Sequence, residues 1–373
     1  MKRLRDTDNF MKILLTGGGT GGHAFPILAV VNEIKRLSRE PVNFLWVGSK
    51  EGPEKDIAKK LNISYKSICT GKFRRYFSWQ NLIDLFKIPV GKIQAFFIIK
   101  SFRPDVIFSK GGYVSIPAVL AGWFLRIPIL IHESDTFPGL ANRFLSRFVK
   151  KIAVSFKETE KYFPVKKCVL TGNPIRPEIL EGSKERGFRY FGLVYDRPVI
   201  LVTGGSQGSR KINQVIIEAL NKLLKKYQII HLCGERQISS IKSQISNIDF
   251  KYYKLYPFLP TEQMADALTV ADLVVSRAGA NILAELAVLG KPSILIPLPT
   301  AASNHQEKNA RLFEKNEAAW VIKEKDLTAD VLFKEVNWLM THKERLDKMS
   351  GNVLKLAKPE AAKRIAEEIL KLR

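Results

Sequence analysis

Two stretches of this chain open in the same way, and that repeat constrains the fold more than any other feature. KILLTGGGTGGH runs from Lys12 to His23, and VILVTGGSQGS from Val199 to Ser209. Each is a short apolar run and a glycine-rich turn, followed by a helical pattern at 24–38 and 213–226 respectively. A buried strand, such a turn and a helix open a nucleotide-binding βαβ unit. The glycines let backbone approach an anion, and the helix offers free N–H groups and a positive dipole end. Two copies in 373 residues predict an α/β chain of two Rossmann-like domains facing one cleft, the number that length also favours.

Further apolar runs fit that frame. Strands are predicted at 12–16, 43–47, 105–109, 128–132, 151–155 and 168–171, then at 198–203, 228–233, 273–276 and 292–297, with helical patterns between them. The prolines of TGNPIRP, Thr171–Pro177, interrupt regular structure. The expected domains are therefore 1–173 and 174–357. The last helical segment, about 358–373, is able to pack back on either domain, and the first is our expectation.

The chain carries 60 Lys+Arg against 36 Asp+Glu, a net charge of +24, which should attract polyanions. Up to Leu180 the balance is about 30 against about 14, so most of the excess lies in the first half. Cys69, Cys168 and Cys233 lie far apart with no C-x-x-C pair, which argues against a disulfide framework or structural zinc. The most apolar stretch, 116–131, is broken by Arg126 and two prolines, so no transmembrane span is expected, and the run 11–15 is too short for a signal peptide. Residues 1–10 read as a tail. Its Asp6 and Asp8 form the one Asp-x-Asp pattern, placed where no cleft can be built, so neither a metal nor a cofactor is expected.

Several motifs sit where strands end. The loop 17–22 with His23 in the first helical turn reads as a phosphate cradle with an imidazole at its lip, or as a tight turn with a capping His. Read from Gly18, GGTGGH differs from G-x-G-x-x-G, and the next strand end, Val47, leads into Gly48 and Ser49 rather than an acidic residue, which disfavours a nicotinamide dinucleotide. Ser206 in the second loop suits a diphosphate. Arg176 reads as a leaving-group cation or as a solvated surface residue, and Glu285 as a ribose ligand or a solvated helix face. His132, Glu133 and Asp135 could do acid–base work or cap a loop. Asn304 and Gln306 could bind sugar hydroxyls or cap a helix. In KFRRYFSW, basic and aromatic residues interleave. The stretch Lys72, Phe73, Arg74, Arg75, Tyr76, Phe77 and Trp79, with Phe86 beyond it, reads best as a seat on an anionic bilayer; core aromatics and single-stranded nucleic acid are the alternatives.

Taken together and in order, these motifs resemble the undecaprenyl-diphospho-muramoylpentapeptide β-N-acetylglucosaminyltransferases of bacterial cell-wall synthesis. The matching stretches are 17–23, HESDTFPGLANR (132–143), TGNPIR (171–176), GGSQGS (204–209), SRAGA with Glu285, and NHQEKNA (304–310). The resemblance implies a GT-B fold, UDP-N-acetylglucosamine as donor and a polyprenyl-diphosphate muramoyl-pentapeptide as acceptor. It further implies a peripheral place at the cytoplasmic membrane face, without nucleic acid, and admits other cell-wall synthesis proteins as partners. Carried over by position, Thr20, Gly21 and Gly22 lie near the reacting groups, while Arg176 and Ser206 meet the diphosphate and nucleoside. Leu259 lies at the uracil; Ala280, Asn281, Ile282, Leu283, Ala284 and Glu285 form the nucleotide strip; and Gln306 holds the sugar. Asp135 stands where the family often has Asn, and Asn281 where it is commonly apolar. The expected reaction is a single inverting displacement by the acceptor 4-hydroxyl. His23 is the first choice of base, then Asp135, then Glu133. A diacylglycerol galactosyltransferase and a nucleic-acid-binding protein are the rival readings.

Overall fold

In a computed structural model the chain is described over residues 10–18, 21–52, 54–71, 79–245 and 251–373, with the side chains of 21–24 and 79–88 outside that description. It divides into two compact units, Met1–Ile175 with Pro359–Arg373, and Arg176–Lys358.

The first unit alternates strand and helix: β1 (Met11–Thr16), α1 (Gly21–Leu37), β2 (Val42–Gly48), α2 (Glu54–Lys60), β3 (Ser64–Ser67), α3 (Trp79–Phe102), β4 (Val106–Ser109), α4 (Ser115–Phe124), β5 (Ile129–Glu133), α5 (Leu140–Leu145), β6 (Lys151–Val154) and β7 (Cys168–Leu170). All pairings are parallel, in the order β3-β2-β1-β4-β5-β6-β7. A parallel sheet is covered on both faces, which is why its central strands read as continuous apolar runs. Ile13 and Leu15 point to one face, with Val30 and Ile34, whereas Leu14 points to the other, with Ile107 and Val119.

The second unit repeats the plan: α6 (Lys184–Phe191), β8 (Val199–Thr203), α7 (Arg210–Leu223), β9 (Gln228–Leu232), α8 (Ile238–Gln244), β10 (Tyr253–Tyr256), α9 (Thr261–Val270), β11 (Leu273–Ser276), α10 (Ala280–Val288), β12 (Ser293–Leu295), α11 (His305–Lys315), β13 (Trp320–Val321), α12 (Ala329–Thr341) and α13 (Lys343–Lys355). Its parallel order is β10-β9-β8-β11-β12-β13. The chain then returns to the first unit as α14 (Ala361–Leu370), whose Ile365, Ala366 and Ile369 are buried with the α1 side of that core.

Each sheet reverses its winding once, between β1 and β4 and between β8 and β11. Crevices at the carboxyl ends of strands form at such reversals, and both glycine loops sit there. Among the described residues, no helix is long and apolar enough to cross a membrane.

Candidate functional site

In the second unit the loop 204–208 leads into α7. Gly208 has φ +71°, and a Cβ there would lie 1.9 Å from the Cys233 carbonyl oxygen, so only glycine fits. Ser206 is exposed on this loop, and Ser209 caps α7 by accepting from the Ile212 N–H. The sequence reading gave no role of its own to Arg277, which proves central. It is buried at the end of β11, donates to Ser209 Oγ at 2.6 Å and to the Ile296 carbonyl at 3.1 Å, and pairs with Glu324. One guanidinium thus ties the glycine loop to the ends of β11 and β12. A buried arginine that pins a loop cannot be told by spacing from one in solvent.

Arg176 and Glu285, 109 residues apart, meet. Glu285 Oε1 accepts from Arg176 Nη2 at 2.8 Å and Nε at 3.1 Å, and Arg176 Nη1 donates to Thr261 Oγ1 at 3.2 Å. Both side chains are largely buried, which overturns the solvated alternatives for each. Burial pushes the Glu285 carboxyl up, while the guanidinium beside it pulls it back down. Within the nucleotide strip, Leu283 is fully buried and its N–H is bonded to the Gly279 carbonyl. Its side chain therefore packs into the core. Leu259 is likewise buried at 2% exposure, so a ligand would meet its surroundings rather than its side chain. Ala280 is also buried, and Asn281, Ile282 and Ala284 are part-exposed. Gln306 Oε1 accepts from the Leu298 N–H at 3.0 Å, fixing this side chain to the segment after β12. Asn304 makes no side-chain capping bond to the backbone of α11, contrary to the capping alternative. It and Ser303 are consecutive non-glycine residues at φ +54° and +56°, a conformation that costs energy and often marks functional segments.

In the first unit, Thr20 and the stretch 72–77 lie outside the described residues, and Gly21, Gly22 and His23 form the start of α1. Trp79 and Phe86 belong to α3 by backbone alone. Gly18 packs closely against Glu54. A Cβ there would lie 2.4 Å from the carboxyl carbon of Glu54, a buried residue whose Oε1 also accepts from the N–H and hydroxyl of Ser49. The Trp46 indole donates to the Gly17 carbonyl at 3.3 Å. Neither anchor carried a sequence signal.

The cluster at the end of β5 splits, because neighbouring strand residues face opposite ways. His132 is fully buried, with Nε2 2.9 Å from the Gly172 carbonyl oxygen, and burial and the cation of Lys110 hold it far below its ordinary pKa. Glu133 is also buried. Its Oε1 accepts from the Asp135 N–H, and its Oε2 from the Gly139 N–H and Asn142 Nδ2, all at 3.0–3.1 Å. Burial and the neighbouring Asp135 charge push its carboxyl up. Glu133 therefore holds the 133–139 loop, a correction to its candidacy as base. Asp135 is the part-exposed carboxylate of the cluster. Beneath it lies Lys110, 1% exposed, which the sequence reading did not single out.

Residues 13–154 match the glycosyltransferase family 28 N-terminal domain and residues 199–365 its C-terminal domain. A Bacillus cereus UDP-N-acetylglucosamine--N-acetylmuramyl-(pentapeptide) pyrophosphoryl-undecaprenol N-acetylglucosamine transferase is 43% identical over 89% of this chain and 92% of its own. The enzyme of the same name from Thermoanaerobacter sp. is 42% identical over 95% and 98%. The chain belongs to this transferase family, MurG. A solved Acinetobacter baumannii MurG superposes with a TM-score of 0.77 at 29% identity, covering 97% of this chain and 99% of that one, so the two Rossmann-like domains are those of the MurG fold. A UDP-GlcNAc 2-epimerase from Neisseria meningitidis, 16% identical with a TM-score of 0.69 over 97% and 100% of the two chains, shares the fold alone.

Proposed function

We infer that the chain carries its family's reaction. It is a hexosyltransferase that moves N-acetylglucosamine from UDP-N-acetylglucosamine to polyprenyl-diphospho-N-acetylmuramoyl-pentapeptide, taking lipid I to lipid II in peptidoglycan synthesis. The observation that carries this is the 42–43% identity, across about nine-tenths of the chain, to enzymes named for that transfer.

The division of labour follows the two sites. In the reading we propose, the second domain holds the donor. The loop 204–208 with Ser206 and the N-terminus of α7 receive the diphosphate with Arg176, Glu285 receives the ribose, and Gln306 the sugar. The first domain holds the acceptor through the loop before α1 and through Asp135. The acceptor 4-hydroxyl attacks the anomeric carbon opposite UDP, and His23, in the first turn of α1, takes its proton. The C1–oxygen bond to UDP breaks as the new bond forms, inverting that carbon, and amide dipoles and Arg176 stabilise the charge left on the diphosphate. Transfer of radiolabel from UDP-N-acetylglucosamine to a polyprenyl-diphosphate acceptor analogue tests the activity. His23→Ala should lower kcat by about 100-fold or more, the usual scale of a general base. Near-native kcat in His23→Ala with loss in Asp135→Ala would move the base to Asp135.

The membrane is the third partner in this reading, at its cytoplasmic face. Val90, Ile93 and Phe97 on α3, Trp123 and Phe124 on α4, and Leu140 and Phe144 on α5 are all exposed apolar side chains. Ring contacts join them: Phe96 lies 5.6 Å from Phe97 and 5.9 Å from Phe124, and Phe148 lies 4.9 Å from Trp123 and 5.4 Å from Phe144. Exposed Lys92, Lys100, Arg126, Arg143 and Arg147 lie on or beside these helices, the pairing of apolar and basic side chains that suits an anionic interface. Phe97→Ser with Phe124→Ser should weaken sedimentation with anionic vesicles while UDP binding stays native. Unchanged sedimentation would refute the patch.

A further inference from the structure

Lys110 ends the run of β4 inside the first unit with its side chain fully enclosed. Its ammonium donates to Ser134 Oγ at 2.9 Å and reaches Asn173 Oδ1 at 3.5 Å, both neutral oxygens. Ser134 stands between Glu133 and Asp135, and Asn173 follows β7, so one cation joins the ends of three strands. Its stem also underlies the first glycine loop, because a Cβ on Gly17 would lie 3.0 Å from Lys110 Cβ. Among the described residues, the titratable groups that face it are Glu133 and Asp135, which favour its charge, and His132, which its charge holds neutral. Enclosing an ammonium away from water is costly, so a chain that needed only packing here would do better with methionine. Lysine makes sense where its charge acts on the two carboxylates.

We propose that Lys110 is a positioning residue for transfer: protonated, it holds the 133–139 loop and its carboxylates in the arrangement that receives the acceptor, and loss of that proton releases them. This rests on the reading that Asp135 meets the acceptor. Burial brings the Lys110 ammonium down to about 8, so the charged form prevails at neutral pH and is lost as pH rises through that value.

The test is kcat and acceptor KM against pH, from 6 to 10, for the full chain and for Lys110→Arg and Lys110→Met. The native enzyme should lose activity above about pH 8, falling roughly tenfold per unit. Lys110→Arg, whose guanidinium stays protonated, should carry that limb up by about a unit or more. Lys110→Met should show no limb near 8, a kcat about 10-fold or more below native at pH 7 and a raised acceptor KM, with UDP binding unchanged. A limb that stays in place in Lys110→Arg, or native kcat and acceptor KM in Lys110→Met, overturns the proposal. If Lys110→Met fails to fold, the Lys110→Arg profile decides alone. Asp135→Ala is the separate control: native acceptor KM there would remove the acceptor reading itself, whatever the Lys110 profiles do.

Discussion

At the scale of single residues, this chain places charge inside its domains and then manages it. The Arg176–Glu285 pair is the clearest case. Removing one partner of a buried pair leaves the other uncompensated, at about 3–5 kcal/mol. Arg176→Met should therefore lower the unfolding temperature as well as donor affinity, as scanning calorimetry and UDP titration would read; native stability would mean Glu285 is solvated after all. His231 is managed differently. It is fully buried, with Nδ1 2.7 Å from the Tyr253 hydroxyl and Nε2 3.0 Å from Asn213 Oδ1, and burial lowers it to about 3. An unfolded imidazole takes up a proton below about pH 6.5, and the folded one resists until about 3, so its contribution to stability is present above 6.5 and lost as pH falls across that window. His231→Gln should flatten the fall of unfolding temperature between those limits. These residues also mark where sequence reading stops. Motif order could nominate Arg176 and Glu285 for one site, but nothing in SKGG or SRAGA says that Lys110 and Arg277 are enclosed. Enclosure of a long cation is decided by strands brought together from elsewhere in the chain.

At the scale of elements, the strand–turn–helix repeat was legible because glycine spacing and apolar runs are local signals. The ten strands expected from those runs are all present to within a residue or two at their ends. Three others were not read. β3 is a polar edge strand, SYKS, with almost no buried residue; β10 is YKLY, and β13 is two residues long. Edge strands bury little, so they leave little hydrophobic pattern to find. Two of the three glycines of the second loop, Gly205 and Gly208, separate space from conformation. Gly205 has φ +84° with nothing near its missing Cβ, so Gly205→Ala should cost only the backbone term, about 1–2 kcal/mol. Gly208→Ala adds a collision with the Cys233 backbone and should cost clearly more and abolish UDP binding. Equal losses in denaturant titrations of the two variants would contradict that separation.

At the scale of the whole molecule, the two units are legible in the repeat, and the return of α14 to the first unit agrees with the expectation, but the face it covers is not legible. The amphipathic pattern of 361–370 says that the helix needs a core, and the fold shows that it is the α1 side of the first unit's core. Ile365→Ala should remove about 2–5 kcal/mol from the first unit alone, the usual cost of a core truncation. Calorimetry resolving two transitions should then show one lowered and the other unmoved. The same return has a consequence for how the protein is made. Domains generally fold as units while the chain is being synthesised, N-terminal first. Here the face of α1 that meets Ile365 and Ile369 stays uncovered until residues 361–370 have left the ribosome. The second unit can complete its own core earlier, so the half of the protein that is translated first is the half that finishes last.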